Sequence, residues 1–112
     1  MATEDDARRI ALSLPATTER PSYGTPGFRV KDKLFARMHD LPDTLVVWVQ
    51  DMAEKEVLLG SAPDTYFETP HYHGYPMLLV RLPVIELDEL TEILTDSWRA
   101  RAPRRLLAEF EQ

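Results

Sequence analysis

The sequence predicts an α+β fold: a single two-layer domain in which helices pack on one face of an antiparallel sheet, in the order α-β-β-β-α-β-β-α. Three observations carry this. Residues 28–38 alternate apolar and basic side chains about a turn, the pattern of a half-buried hairpin. Residues 44–49 and 77–82 are short apolar runs bounded by turn residues, as strands of a sheet should be. Helical-period apolar stripes flank these strands at both ends of the chain.

Thr3 followed by Glu4, Asp5 and Asp6 reads as a helix start, a hydroxyl cap with acids in the electropositive first turn. Ala7, Ile10, Ala11 and Leu14 fall at helical spacing, and Pro15 ends the helix. Residues 17–21 read as a polar connection, with Pro21, Gly24, Pro26 and Gly27 marking turns. A two-residue turn at Asp32-Lys33 then joins strands 28–31 and 34–38. That register sets Val30 opposite Phe35 and Phe28 opposite Arg37. Phe28, Val30 and Phe35 share the buried face, while Arg29 and Lys31 point away from it.

In the next strand, Leu45 and Val47 face the core. Asp51 and Glu54 have the spacing of a capping box, and the helix over 52–59 stops at Gly60 as a left-handed cap. Tyr66-Phe67 reads as a short strand, 71–76 as a loop and 77–82 as a strand with Leu79 inward. Asp88 caps the longest helix, whose Leu90, Ile93, Leu94 and Trp98 run at helical spacing. Pro103 opens a last helical turn or two bearing Leu106, Leu107 and Phe110. Trp48 and Trp98 read as core anchors.

At 112 residues the chain has the size of one domain, and 44% hydrophobic content suffices for a core. The absence of cysteine excludes disulfides, thiolate nucleophiles and cysteine-based zinc sites. No apolar run approaches the roughly 20 residues of a membrane span. Residues 1–6 are acidic and polar, unlike a signal peptide. A soluble, cytoplasmic protein without a membrane partner is expected.

The net charge of −6 repels phosphate at long range unless the cations are segregated. They are, in part. Arg29, Lys31, Lys33 and Arg37 sit in the hairpin, and Arg99, Arg101, Arg104 and Arg105 lie near the C-terminus. The hairpin cations suit phosphate contacts, though a solvated strand edge uses the same residues. The arginine cluster follows acids at the start of its helix, an order that the helix dipole alone favours.

His71-x-His73 places two imidazoles on one side of an extended segment, with Glu68, His39 and Asp40 as the nearest further ligands. Exposed loop histidines, or a ring stacked among Tyr72 and Tyr75, explain the pair better than a metal site, so no metal and no other cofactor is expected. No nucleophile elbow or phosphate loop appears, so no catalytic residue is assigned and an enzyme is not expected. Tyr66, Phe67, Tyr72 and Tyr75, with His73, suit a ligand or partner pocket, stacking on unpaired bases, or packing at the end of the sheet.

The Tyr23-Gly24-Thr25-Pro26-Gly27-Phe28-Arg29-Val30 turn and hairpin, the Phe67 region, the aromatic loop before Met77, and Trp98 with Ala102-Pro103 are the most specific segments. In order and spacing they resemble the MmcQ/YjbR family, over the stretch from Leu12-Ser13-Leu14-Pro15 to Leu106. The resemblance implies a small α+β fold of CyaY-like or secretion-chaperone-like type. It also implies DNA binding through a "double wing" of β-hairpins, with the Asp32-Lys33 hairpin as the wing.

Two functions follow as expectations. The first is weak, salt-sensitive DNA binding through Arg29, Lys31, Lys33 and Arg37. Four phosphate contacts give a log K against log salt slope of about −3.6, and a Kd no tighter than about 10⁻⁵ M. The second is a non-enzymatic protein- or small-ligand-binding module that uses Tyr66, Tyr72, His73, Tyr75 and the open sheet face.

Overall fold

The computed structural model describes residues 1–111. Its elements are α1 (Glu4–Ser13), β1 (Thr17–Ser22), β2 (Thr25–Val30), β3 (Lys33–Met38), β4 (Thr44–Trp48), α2 (Met52–Ser61), β5 (Tyr66–Phe67), a 3₁₀ turn (Pro70–Tyr72), β6 (Met77–Arg81), α3 (Leu87–Arg101) and α4 (Arg104–Phe110). The fold is α+β, as expected. Six strands form one sheet in the order β1-β2-β3-β4-β6-β5, and every neighbouring pair is antiparallel.

Alternation along the strands divides the sheet into two unlike faces. Phe28, Val30, Phe35, Leu45, Val47, Leu78 and Val80 are buried together with Ile10 of α1 and Leu90, Ile93, Leu94 and Trp98 of α3. The helices therefore cover one face. On the other, Val46 and Leu79 are buried with Tyr72 in a small separate cluster, against which Phe67 and Met77 pack. Leu79 is thus buried as expected, but beneath the 3₁₀ turn.

Trp98 is fully buried. Its indole N–H donates to the Pro15 carbonyl at 2.9 Å, and its ring lies 4.7 Å from that of Phe110. It joins the end of α1, the body of α3 and the final helix α4.

The hairpin register differs from the sequence expectation. Val30 pairs with Lys33, Arg29 with Leu34 and Phe28 with Ala36, so the turn residues are Lys31-Asp32. Both have positive φ, 48° and 69°, as a type I′ hairpin turn requires. A bulge at Phe35 inserts one unpaired residue in β3, which keeps Phe35 and Ala36 both buried and shifts the turn by one position.

Residues 17–21 are a strand and not a connection: β1 pairs along its whole length with β2. Pro21 is tolerated because β1 is an edge strand. Tyr23-Gly24 forms a second turn with both φ positive (55° and 82°). Gly27 is mid-strand, where an added Cβ would sit 2.9 Å from Ser22 Cβ.

Gly60 does not end α2, which continues to Ser61. Asp88 lies inside the first turn of α3, whose cap is Glu86. Among the described residues no helix is long and apolar enough to cross a membrane.

Candidate functional site

The helix-free face of the sheet carries a broad cleft of about 920 Å³. Its position follows from parity. With Phe28 inward, Arg29 of β2 projects to the open face, as do Leu34 and Arg37 of β3 and Val46 and Trp48 of β4. Arg101, the last residue of α3, reaches round to the same face. The cleft is lined by four cationic side chains, Arg29, Lys33, Arg37 and Arg101, against two carboxylates, Asp32 and Asp40.

Arg37 is fixed at the centre. Its Nη1 donates to Thr25 Oγ1 at 3.2 Å and to the Met38 carbonyl at 3.0 Å. Its Nη2 donates to the Tyr72 hydroxyl at 2.7 Å, and the guanidinium lies 5.3 Å from the centre of the Tyr23 ring. Arg101 Nε donates to the Leu34 carbonyl at 2.9 Å, with the guanidinium 5.1 Å from the Trp48 ring centre. Arg29 donates to the Asp32 carbonyl at 3.3 Å. Neutral acceptors and aromatic faces orient all three. Among the described residues, none of the three has a carboxylate within 4.0 Å. Guanidinium groups held in place but not neutralised are suited to an external anion.

Two histidines border this centre. His39 Nδ1 accepts from the Leu41 N–H at 3.0 Å. Burial, then the Arg37 charge, hold its pKa below the ordinary histidine value, against the opposing effect of Asp40. The ring is therefore neutral at pH 7, with Nε2 as the N–H donor. His71 packs edge-on against Tyr72 at 4.9 Å.

A lysine that no sequence pattern singles out anchors one border of the cleft from behind. Lys55 is 1% exposed. Its ammonium donates to the carbonyls of Tyr72 and Tyr75, each at 2.8 Å, and pairs with Glu68 at 2.7 Å. Two of its N–H donors are thus met by carbonyls, and its charge is balanced by the Glu68 carboxylate. Lys55 thereby staples the 70–75 segment over Val46 and Leu79 and sets the Tyr72 hydroxyl against Arg37.

The other sequence candidates scatter. Lys31 occupies the exposed hairpin turn, and Lys33 flanks it at the edge of the cleft. Asp32 at the same tip pairs with Arg20 at 3.1 Å. Arg99 is drawn away by Asp96 (3.4 Å) and Glu111 (3.6 Å), and Arg104 and Arg105 are exposed on α4. Only Arg101 of that cluster joins the hairpin arginines.

The aromatic-loop residues do not share a pocket either. Tyr66 faces the core, 2% exposed, and donates to Glu89 at 2.5 Å; burial and that carboxylate push its pKa up. Tyr72 is buried, His73 pairs with Glu68 at 3.2 Å, and Tyr75 is exposed. His71 and His73 thus have different neighbours. Trp48, expected as a core anchor, is half-buried on the open face.

A concentration of acids lies elsewhere. Glu54, Glu86, Asp88, Glu89, Glu92 and Asp96 line a groove on the helical side, between α2 and α3. This acidic groove is distinct from the sheet cleft, whose own carboxylates are Asp32 and Asp40.

A family model described as YjbR matches residues 12–100. The uncharacterized protein Rv2570 of Mycobacterium tuberculosis and the uncharacterized protein Mb2600 of Mycobacterium bovis are each 36% identical to this chain over 127 aligned positions. Those alignments cover 98% of this chain and 96% of each relative. The crystal structure of Deinococcus radiodurans protein DR2400, with the family-model domain DUF419, superposes with a TM-score of 0.72. It is 24% identical, over 88% of this chain and 77% of that one, and shares the fold. With the family model spanning most of the chain, and relatives matching it nearly end to end, this protein belongs to the YjbR family.

Proposed function

We propose that this protein is a non-enzymatic, cytoplasmic nucleic-acid-binding module, and that its contact surface is the open face of the sheet. One observation carries the reading: Arg29, Arg37 and Arg101 converge on one aromatic-lined cleft, preorganised by neutral partners. Gathering six acids in a groove on the helical side, while four cations outnumber two carboxylates in the cleft, lets a chain of charge −6 present a locally positive face. The double-wing idea attached to the family agrees with the use of β-hairpins. The geometry favours their faces over their tips, because Lys31 and Asp32 at the tip carry opposite charges.

Three phosphate contacts, in place of four, set the magnitude. Log K against log salt should slope between about −2 and −3, with affinity in the weak, micromolar or poorer range at physiological salt. Fluorescence anisotropy with a labelled oligonucleotide across a salt series measures it. Arg37→Ala should flatten the slope by roughly one and weaken all sequences alike. Arg104→Ala and Arg105→Ala should leave it unchanged. A slope insensitive to Arg37→Ala, or equal losses from the α4 arginines, would remove the open face as the contact surface.

A further inference from the structure

We propose that the ligand of this cleft is single-stranded nucleic acid, with phosphates on Arg29, Arg37 and Arg101 and bases stacked on Tyr23 and on the Arg101–Trp48 pair. This rests on the nucleic-acid reading above and narrows it.

What protrudes from the surface, and what is recessed, points to a single strand. The Tyr23-Gly24 turn stands at the rim with the Tyr23 ring 87% exposed. The Arg37 guanidinium lies 5.3 Å from the centre of that ring, partly buried and tethered at both terminal nitrogens. An aromatic face is thus offered outermost and a cation further in. A duplex has the opposite order, phosphates outside and bases stacked within, so an outermost ring meets no base face. A single strand can turn its phosphates inward and splay its bases onto rings and guanidinium planes.

At the other end of the cleft, the Arg101 guanidinium lies over the Trp48 ring, 5.1 Å from its centre. A guanidinium plane held this way is itself a stacking surface for a base.

The charge pattern agrees. The hairpin tip that would enter a duplex groove carries Asp32 beside Lys31, and Asp40 stands on the opposite border of the cleft. The second strand of a duplex lying across this face would be brought against those carboxylates.

The test is anisotropy at low salt with three probes of equal length: a labelled mixed-sequence strand, that strand annealed to its complement, and an abasic strand. The abasic probe keeps the phosphates and lacks the stacking bases. The single strand should bind at least about tenfold tighter than the duplex, and removing the bases should weaken it at least about fivefold, the loss expected for one stacked base. Tyr23→Asn keeps a residue tolerant of the left-handed turn and should likewise weaken the base-bearing strand about fivefold, while Tyr23→Phe preserves binding. Duplex bound as tightly as single strand, with Arg37→Ala still weakening both, overturns this inference and leaves the nucleic-acid reading standing. Abasic and normal strands of equal affinity also overturn it. Failure of all three probes to bind removes both.

Discussion

Replacing Trp98 with alanine is expected to destabilise the fold by about 3–5 kcal/mol, the range for deleting a large buried aromatic side chain. The position combines three roles. The ring is fully buried in the main core, the indole N–H satisfies the Pro15 carbonyl at the end of α1, and Phe110 of α4 packs on the ring. Truncation leaves a cavity that the rigid sheet beneath cannot fill, strips the Pro15 carbonyl of its donor and removes the anchor of α4. Urea unfolding measures the loss as a fall in midpoint at an unchanged slope. Val57→Ala, at a side chain 65% exposed on α2, should stay within about 0.5 kcal/mol of wild type. A Trp98→Ala loss no larger than that control would contradict the packing described.

Lys55→Met is the second large effect, expected at about 3 kcal/mol. Methionine keeps the volume and removes the charge, so the Tyr72 and Tyr75 carbonyls lose their donor together. Glu68 loses its closest cation but is 27% exposed and can turn to water, which holds the loss at the lower end for a broken buried pair. The 70–75 segment should loosen, seen as faster hydrogen exchange at the Tyr72 and Tyr75 amides, which donate to the Thr69 and Tyr72 carbonyls.

A pH signature accompanies it. Lys55 first, and His73 second, hold the Glu68 pKa below its ordinary value of 4.5. A carboxylate whose folded pKa is depressed contributes stability that is fully present above its unfolded pKa and lost as pH falls through the folded one. The difference between wild type and Lys55→Met should therefore be constant above about pH 5 and shrink below pH 4.5. A deficit independent of pH would show that the ion pair contributes nothing.

Local pattern disclosed most of the core and part of the site. The inward residues of β2, β4 and α3 were legible from strand parity and from the unbroken helical stripe of α3. By contrast, β6 is apolar from Met77 to Val80 and conceals its parity: Leu79, read as inward, lies on the open face, and Leu78 and Val80 enter the main core. The same parity, carried one residue further along β4, sets Trp48 opposite Leu45 and Val47 and so on the open face; reading it as a core anchor weighed its size over its register. β1 escaped detection because an edge strand with one side in solvent needs no apolar alternation and tolerates Pro21. The bulge at Phe35 was hidden for a different reason. Two adjacent apolar residues, Phe35 and Ala36, are both compatible with a regular strand, and only the left-handed Lys31-Asp32 turn reveals the shift.

The site itself depends on contacts between distant segments. Arg37 meets Tyr72 at a separation of 35 residues, and Arg101 meets Leu34 at 67. Lys55 binds backbone carbonyls, which no side-chain pattern announces. The basic hairpin was legible as a cluster of charge, but which of its cations face the same way was decided by the register.

The most direct test of the open face as the contact surface is the ¹H–¹⁵N spectrum of the protein titrated with a single-stranded oligonucleotide. The chain contains two tryptophans, and their indole N–H signals serve as probe and control. Trp48 lines the cleft beneath Arg101, whereas Trp98 is sealed in the core and bonded to Pro15. The Trp48 indole and the amides of Arg29, Leu34 and Arg37 should shift progressively while the Trp98 indole stays in place. Shifts confined to Lys31, Asp32 and Lys33 at the hairpin tip, or to α4, with Trp48 unmoved, would contradict it.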